Sequence, residues 1–355
     1  VAGCELAAVC SRNPEAAAAE PGIRHFTDYR DLIASGLCDA VLVATPTFSH
    51  LEIGTAALEA GLHLMMEKPL GLSVQEGEQL LARQQPEQVF ALMLNQRTDP
   101  LFGAMRDVIA GGRLGEITRT HWTMTNWFRP EVYFQVSDWR ATWVGEGGGL
   151  LVNQCIHNLD IFQWLCGMPS AVRAFCRFGR YHDIEVEDEA TAYFEYENGA
   201  TGVFIGSTGE APGVNRFDVI GDRGSLCFDG ERLALTVNEP ATSQYNRDTR
   251  DMFGMPASTF QDITPDRAGN QHAAILCNFV AAIRHGEPLI APAQDGLDSL
   301  ALANAMLLST WQGETIGLPL DSGRYQVALE KRLAASSLRQ KADIEANVDM
   351  NASYR

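Results

Sequence analysis

The run from Asp39 to Ala44 (DAVLVA) is apolar and β-branched, and it sits inside a longer alternation of strand and helix signals. A run of that kind reads as a strand buried on both faces, as in parallel sheets covered by helices. Glu5 to Cys10 reads as a short apolar strand, and Pro14 to Glu20 as an Ala-rich helix with Pro near its first turn. Thr27 to Ser35 is an amphipathic helix ending at Gly36, and Ser49 to Ala60 is a helix stopped by Gly61. Leu62 to Met66 is the next strand, Ser73 to Arg83 a helix with a capping-box pattern at Ser73 and Glu76, and Gln88 to Leu94 a further strand. Alternation of this type predicts an α/β domain over residues 1–97 with a Rossmann-type, doubly wound parallel sheet. The chain opens at Val1 with a strand already under way, and it contains no Gly-x-Gly-x-x-Gly. The pattern therefore supplies the middle and end of such a domain. Its first strand and phosphate-binding loop are expected outside this sequence, leaving a gap between two half-sheets.

From about residue 98 the pattern changes. Asp99 to Ala110 is a helix, Ile117 to Phe128 an aromatic strand, and Leu150 to Leu165 a helix. Antiparallel strands follow, with Asn198-Gly199 as a hairpin turn between Ala190–Tyr196 and Ala200–Ile205, and Asp222-Arg223-Gly224 as a second turn. Residues 239–268 are polar and Pro-rich and read as a long loop. Two helices, Asn270–His285 and Asp295–Gln312, close the unit. Residues 98–330 are thus predicted to form an α+β domain with a large open antiparallel sheet, followed by a polar tail at 331–355.

A chain of 355 residues accommodates two domains. Its formal net charge of −18 disfavours nucleic acid and anionic membranes as partners, although a site can still be locally basic. The eight cysteines are scattered without a Cys-x-x-Cys pair, so the usual zinc spacing is missing and no metal is expected. Free thiols in apolar runs fit a reducing cytoplasm. No apolar run reaches the roughly 18 residues of a membrane span, and none within this sequence reads as a signal peptide; any export signal is expected with the first strand, outside this sequence.

Two stretches carry chemistry. Glu67-Lys68-Pro69 ends a strand, where a charged pair after an apolar run is unusual unless it faces a cleft. A Lys ammonium there can hold a substrate hydroxyl and stabilise developing alkoxide charge, and a cis peptide before Pro69 would fix where Lys68 points. The second stretch, Gly147 to Asp160 (GGGLLVNQCIHNLD), has three glycines that let backbone approach a ligand and lead into a helix. On that helix Asn153 and His157 share a face, and Asp160, one turn on, is placed to orient the imidazole. Taken singly, these stretches also fit a surface turn and a core His. Ala44-Thr45-Pro46 follows the buried strand, where ligands of open α/β sheets bind, with His50 on the next helical turn; an ordinary turn fits equally. Ser11-Arg12 follows the first strand without an acidic residue, which suits the 2′-phosphate of NADP or merely an exposed helix start. Trp122, Trp127, Trp139 and Trp143 cluster with Tyr133, Phe134 and Arg140. They fit sugar stacking, core packing or a subunit interface, with Trp139 and Arg140 the best placed for substrate.

Glu67-Lys68-Pro69 and the Gly147–Asp160 stretch, in this order, resemble the signature of the glucose-fructose oxidoreductase / inositol dehydrogenase (Gfo/Idh/MocA) family, and the resemblance spans essentially the whole chain. It implies a dehydrogenase using NADP or NAD on a secondary alcohol of a sugar or polyol. It also implies Lys68 and His157 as catalytic residues, with Thr45 and Glu67 on the cofactor and Asn95 and Arg97 near the nicotinamide or substrate. Ser11, Arg12, Pro46, His50 and Lys68 complete the expected cofactor contacts; Lys68, Trp139, Arg140, Asn153 and His157 are the expected substrate contacts. Many members carry Asp where this chain has Asn153, which moves proton handling toward His157 and Lys68. A nicotinamide-dependent glycoside hydrolase and a non-catalytic ligand sensor are the alternative functions on this fold, although a sensor does not require Lys68 and His157. A homo-oligomer, dimer or tetramer, paired through the antiparallel sheet is expected.

Overall fold

The computed structural model describes residues 1–13, 22–265, 269–340 and 344. The helix expected at Pro14–Glu20 lies outside them. Strands β1 (Ala8–Cys10) and β2 (Arg24–Phe26) pair in parallel. Strands β3 (Ala40–Val43), β4 (His63–Met66) and β5 (Phe90–Leu92) form a second parallel sheet in that order. These are the two half-sheets expected of the Rossmann unit. The reading of β3 as buried on both faces is corrected: Leu42 is 48% exposed. Among the described residues β3 pairs on one side only, with β4, so its outward side chains lack a second neighbour.

The local signals behave as their chemistry dictates. Ser73 caps the helix Val74–Leu81 by accepting from Glu76 N, while the Glu76 carboxylate reaches back to Leu72 N at 2.8 Å. Asp99 caps the helix Pro100–Ala110, whose first residue is the proline that needs no partner for a missing N–H.

The second unit is built on one nine-stranded sheet. Its strands are β6 (Ile117–Met124), β7 (Ala171–Phe178), β8 (Glu187–Glu195), β9 (Thr201–Ser207), β10 (Asn215–Gly221), β11 (Gly224–Phe228), β12 (Leu233–Glu239), β13 (Ala257–Ile263) and β14 (Ile316–Gly317). They run in the order β13-β12-β11-β10-β6-β9-β8-β7-β14, antiparallel except for the parallel pair β6–β9. Both predicted turns are hairpin turns, with Gly199 at φ +84° between β8 and β9. One face packs on the helices Ile156–Cys166 and Asp295–Gln312. At its centre Trp122 is fully buried, stacked on Phe217 at 4.4 Å, with its indole N–H on Asn215 at 2.9 Å. Trp143 is also core, edge-on to Trp311. The other face carries Phe175, Tyr193 and Ile220 exposed.

Two further expectations are corrected, and one segment is found to return across the expected boundary. The predicted loop 239–268 holds a helix, Thr242–Asp248, and the edge strand β13; exposed edge residues carry no burial period by which a strand could be recognised. The predicted helix from Leu150 to Leu165 is broken into a π-helical turn, Leu150–Gln154, and a helix, Ile156–Cys166. The 97/98 boundary is crossed by a returning segment. Ile275 and Phe279 of the helix Gln271–His285 fill the core of the first unit, and Leu92 N donates to Ala291 O at 3.0 Å beside β5.

Arg97 stitches these parts together. Its side chain is almost fully buried and donates to both carboxylate oxygens of Asp160 (2.6 and 2.8 Å), to Asp295 and to Ile290 O. One guanidinium thus joins the turn after β5, the helix Ile156–Cys166 and the start of the helix Asp295–Gln312. Among the described residues no helix is long and apolar enough to cross a membrane.

Candidate active site

The turns leaving the carboxyl ends of β3, β4 and β5 form one wall of a cleft of about 700 Å³. Thr45 and Pro46 follow β3, Glu67 and Lys68 follow β4, and Asn95 follows β5; all line the cleft. Ligands of parallel α/β sheets bind at this end. The second unit supplies the opposite wall, including Arg129, Tyr133, Trp139, Arg140, Glu146, Asn153 and His157.

Lys68 reaches across the cleft. Its Nζ donates to the Asn153 carbonyl at 2.8 Å and lies 3.3 Å from Asn153 Oδ1. The Lys68–Pro69 peptide is cis. Desolvation lowers the Lys68 pKa to about 8, aided by the charges of Arg140 and Arg129 and opposed by Glu67 and Glu146. His157 is held well below the usual imidazole range, first by burial and then by the charges of Lys68 and His272. Its Nδ1 is sealed without a partner among the described residues, which leaves Nε2 as the nitrogen facing the cleft. The expectation that Asp160 orients this ring is therefore corrected: both Asp160 oxygens are committed to Arg97, and one also accepts from Gln163.

The glycine run also works differently from the expectation that it lets backbone approach a ligand. Gly147 sits at φ +70°, and a Cβ there would meet Leu72 O at 2.9 Å; one on Gly149 would meet Glu187 O at 2.4 Å. These glycines allow chain to pack on chain. Glu187, also buried, then accepts from Gly149 N (2.9 Å) and Leu151 N (2.8 Å), pinning the entry to the π-helical turn that presents Asn153. Burial pushes the Glu187 carboxyl up to about 7 against these hydrogen bonds.

Arg140 lies over the rings of Trp139 and Tyr133 at 4.4 and 4.5 Å and donates to the Tyr133 hydroxyl. Trp127 lines the cleft with Arg129 over its ring. His50 stands behind the wall, with Nδ1 2.9 Å from Pro69 O and Nε2 2.9 Å from Thr45 O; it packs between two strand-end turns, a neutral ring donating to one of the two carbonyls, and does not line the cleft. Arg97 is likewise behind the wall. Ser11 and Arg12 follow β1 and are not among the residues lining the cleft; Ser11 N donates to Phe26 O at 2.9 Å and Arg12 is exposed. Glu146 escaped the sequence reading, although its place between Gly145 and Gly147 marked it. It is 4% exposed, and its carboxylate accepts from Ala141 N at 2.6 Å and from Asn153 Nδ2.

The residues present fit a nicotinamide and a polyhydroxylated ligand. Asn95 Oδ1, Asn126 Oδ1 and Asn158 Oδ1, all on cleft-lining residues, are buried without a partner among the described residues. Buried polar atoms call for partners, and a ligand rich in hydroxyl and amide groups supplies them.

Comparison with known proteins agrees. The NAD-binding Rossmann fold of the GFO/IDH/MocA oxidoreductase family matches residues 2–95, and the family's C-terminal domain matches residues 102–227. The chain belongs to this family and is an NAD(P)-dependent oxidoreductase. It is 27% identical over 289 residues to the scyllo-inositol 2-dehydrogenase (NADP(+)) IolW of Bacillus subtilis, covering 79% of each chain. It is 26% identical over 348 residues to the levoglucosan dehydrogenase of Pseudarthrobacter phenanthrenivorans, covering 88% of this chain and 89% of that one. Among solved structures, the WlbA dehydrogenase of Bordetella pertussis in complex with NADH and UDP-GlcNAcA superimposes with a TM-score of 0.74 at 25% identity, covering 89% of this chain and 91% of that one.

Glu187 makes the stability of this region pH-dependent. Its folded carboxyl binds a proton more tightly than the unfolded one, so the protonated group's contribution is complete below the unfolded range near 4.5 and is lost as pH rises through about 7. Relative to Glu187→Gln, the wild type is expected to lose roughly 2 kcal/mol of unfolding free energy between about pH 5.5 and 8. Urea denaturation of both proteins at the two pH values measures it; parallel behaviour would contradict the assignment.

Proposed function

We propose that this cleft interconverts a secondary alcohol and a carbonyl on a sugar or polyol, with Lys68 and His157 handling the oxygen and its proton. The observation that carries the reading is the convergence of a desolvated ammonium and a neutral imidazole in one cleft at the carboxyl ends of the parallel strands. When bound, the nicotinamide supplies the hydride acceptor or donor. Thr45, Pro46, Glu67 and Asn95 would hold its reactive end. Lys68 donates a hydrogen bond to the substrate oxygen and stabilises negative charge developing there. His157, neutral at physiological pH, accepts the hydroxyl proton at Nε2 during oxidation and returns it during reduction. Trp139 offers a stacking face to the sugar ring, and Arg140 and Asn153 offer hydrogen bonds to its hydroxyls.

Lys68→Ala and His157→Ala are each expected to lower kcat by about 10²–10⁴-fold in a nicotinamide absorbance assay with a panel of inositols and sugars, leaving cofactor affinity nearly unchanged. In the wild type, the rate of oxidation should fall as pH rises through about 8, because the lowered pKa of Lys68 removes the ammonium there. Near-normal turnover in either variant would remove that residue from the mechanism.

Ser11 and Arg12 at the turn after β1 would face the ribose end of the cofactor. With Arg and no acidic residue at that turn, NADP is favoured over NAD. Arg12→Ala should raise KM for NADP well above any change for NAD; equal changes would refute the preference.

The exposed face of the nine-stranded sheet would be a subunit interface. Phe175 is 58% and Tyr193 43% exposed, and one-sided sheets generally have such a face covered or polar. Multi-angle light scattering at micromolar concentration is expected to show a dimer or tetramer; a monomer would exclude pairing through this face.

A further inference from the structure

Glu146 is a buried carboxylate in the cleft wall that the chemistry above leaves unused. Both of its oxygens are engaged by N–H donors: Oε2 by Ala141 N at 2.6 Å, and Oε1 by Asn153 Nδ2. Burial raises the pKa of this carboxyl, and the hydrogen bonds from Ala141 and Asn153 with the charges of Arg140 and Lys68 oppose that rise and favour the anion. The same Asn153 amide places its Oδ1 3.3 Å from Lys68 Nζ, which also donates to the Asn153 carbonyl. Only one orientation of the amide serves both neighbours, with nitrogen toward the carboxylate and oxygen toward the ammonium. The second oxygen of Glu146 holds the N–H of Ala141, a non-glycine residue at φ +65°, in the turn directly after Trp139 and Arg140.

We propose that Glu146 is the positioning residue for Lys68: its carboxylate, acting through the Asn153 amide, holds the ammonium in place at the cleft. It also fixes the left-handed turn that carries the substrate arm, so one buried charge sets the catalytic cation and the sugar-facing side chains relative to each other. The inference deepens the reading of Lys68 above. The direction of the Lys68 titration supports it, because the Glu146 charge favours the ammonium while burial and Arg140 disfavour it. Around Lys68 the charged and titratable groups are Glu67 on its own turn, Arg129, Arg140 and Glu146 from the second unit, and His157 across the cleft.

The chain has only three lysines, Lys68, Lys331 and Lys341, so lysine labelled with ¹⁵N and ¹³C gives three side-chain signals. The titration of Lys68 can then be followed by NMR without substrate or cofactor. In the wild type it is expected near pH 8. In Glu146→Gln, which keeps the shape but offers one acceptor to two donors, it should fall by about one unit. In Glu146→Gln/Asn153→Asp the carboxylate is moved from position 146 to position 153, to face Lys68 and accept from the new amide. The titration should return to the wild-type value or exceed it. Should Glu146→Gln fail to fold, Asn153→Ala leaves the Glu146–Ala141 bond intact and should produce a smaller fall. A purely structural role for Glu146 predicts an unmoved Lys68 signal or no recovery in the exchanged pair, and either result overturns the proposal. Because the readout needs no turnover, its failure is separate from failure of the redox assignment, which rests on the kinetics of Lys68→Ala.

Discussion

The ion cluster of buried Arg97 and Asp160 with the partly exposed Asp295 is the constraint on which the cleft depends. Removing Arg97 and Asp160 from water is expensive, and the cost is offset only where geometry is good and the remaining lone pairs are used. Here the guanidinium meets one carboxylate in a bidentate fork through Nε and Nη2, while Nη1 donates to both the other carboxylate and the Ile290 carbonyl. The cluster joins the last parallel strand's exit to two helices of the second unit, so the two walls of the cleft are fixed by the same side chain. A consequence falls on the chemistry. With Asp160 committed to Arg97, no carboxylate among the described residues bonds His157, and burial beside Lys68 keeps its imidazole neutral. The ring is thereby suited to accept a proton, with no carboxylate to hold it as imidazolium.

Much of this was legible in the chain, and the parts that were not share a cause. Glu67-Lys68-Pro69 and Asn153/His157 stood out because polar residues at fixed spacing after apolar runs are costly unless a cleft uses them. The turns at Asn198-Gly199 and Asp222-Arg223-Gly224 and the cap at Ser73 were legible because they are local: the residues that signal them are those that form them. The return of Ile275 and Phe279 to the first unit was not, since an apolar helix face does not say which core it fills. Neither was the partner of Asp160. A carboxylate three residues after a histidine suggests that pair, and only the tertiary fold brings an arginine from 63 residues away to claim it.

The glycine run shows how a correct location can carry a wrong reason. Glycine permits close approach, but it does not specify what approaches. In this chain the neighbours are Leu72 and Glu187, not a ligand. The close packing brings the Glu187 carboxylate onto Gly149 N and Leu151 N, and these bonds set the π-helical turn, a geometry often found where side chains are aimed at a site.

The electrostatics of the cleft follow from the same packing. The chain as a whole is strongly acidic, with a formal charge of −18, yet Lys68, Arg129 and Arg140 gather in one cleft. Like charges drawn into a desolvated space lower each other's hold on protons, and lysine, unlike arginine, can respond by titrating near neutrality. The two arginines lie over the aromatic faces of Trp127, Trp139 and Tyr133, while burial leaves the lysine poised to titrate. A buried carboxylate on the far side of Asn153 opposes that pull. The division of labour is therefore a property of residue type: arginines for a fixed field, a lysine for the group whose protonation matters, and an amide between lysine and glutamate because it can donate to one and accept from the other.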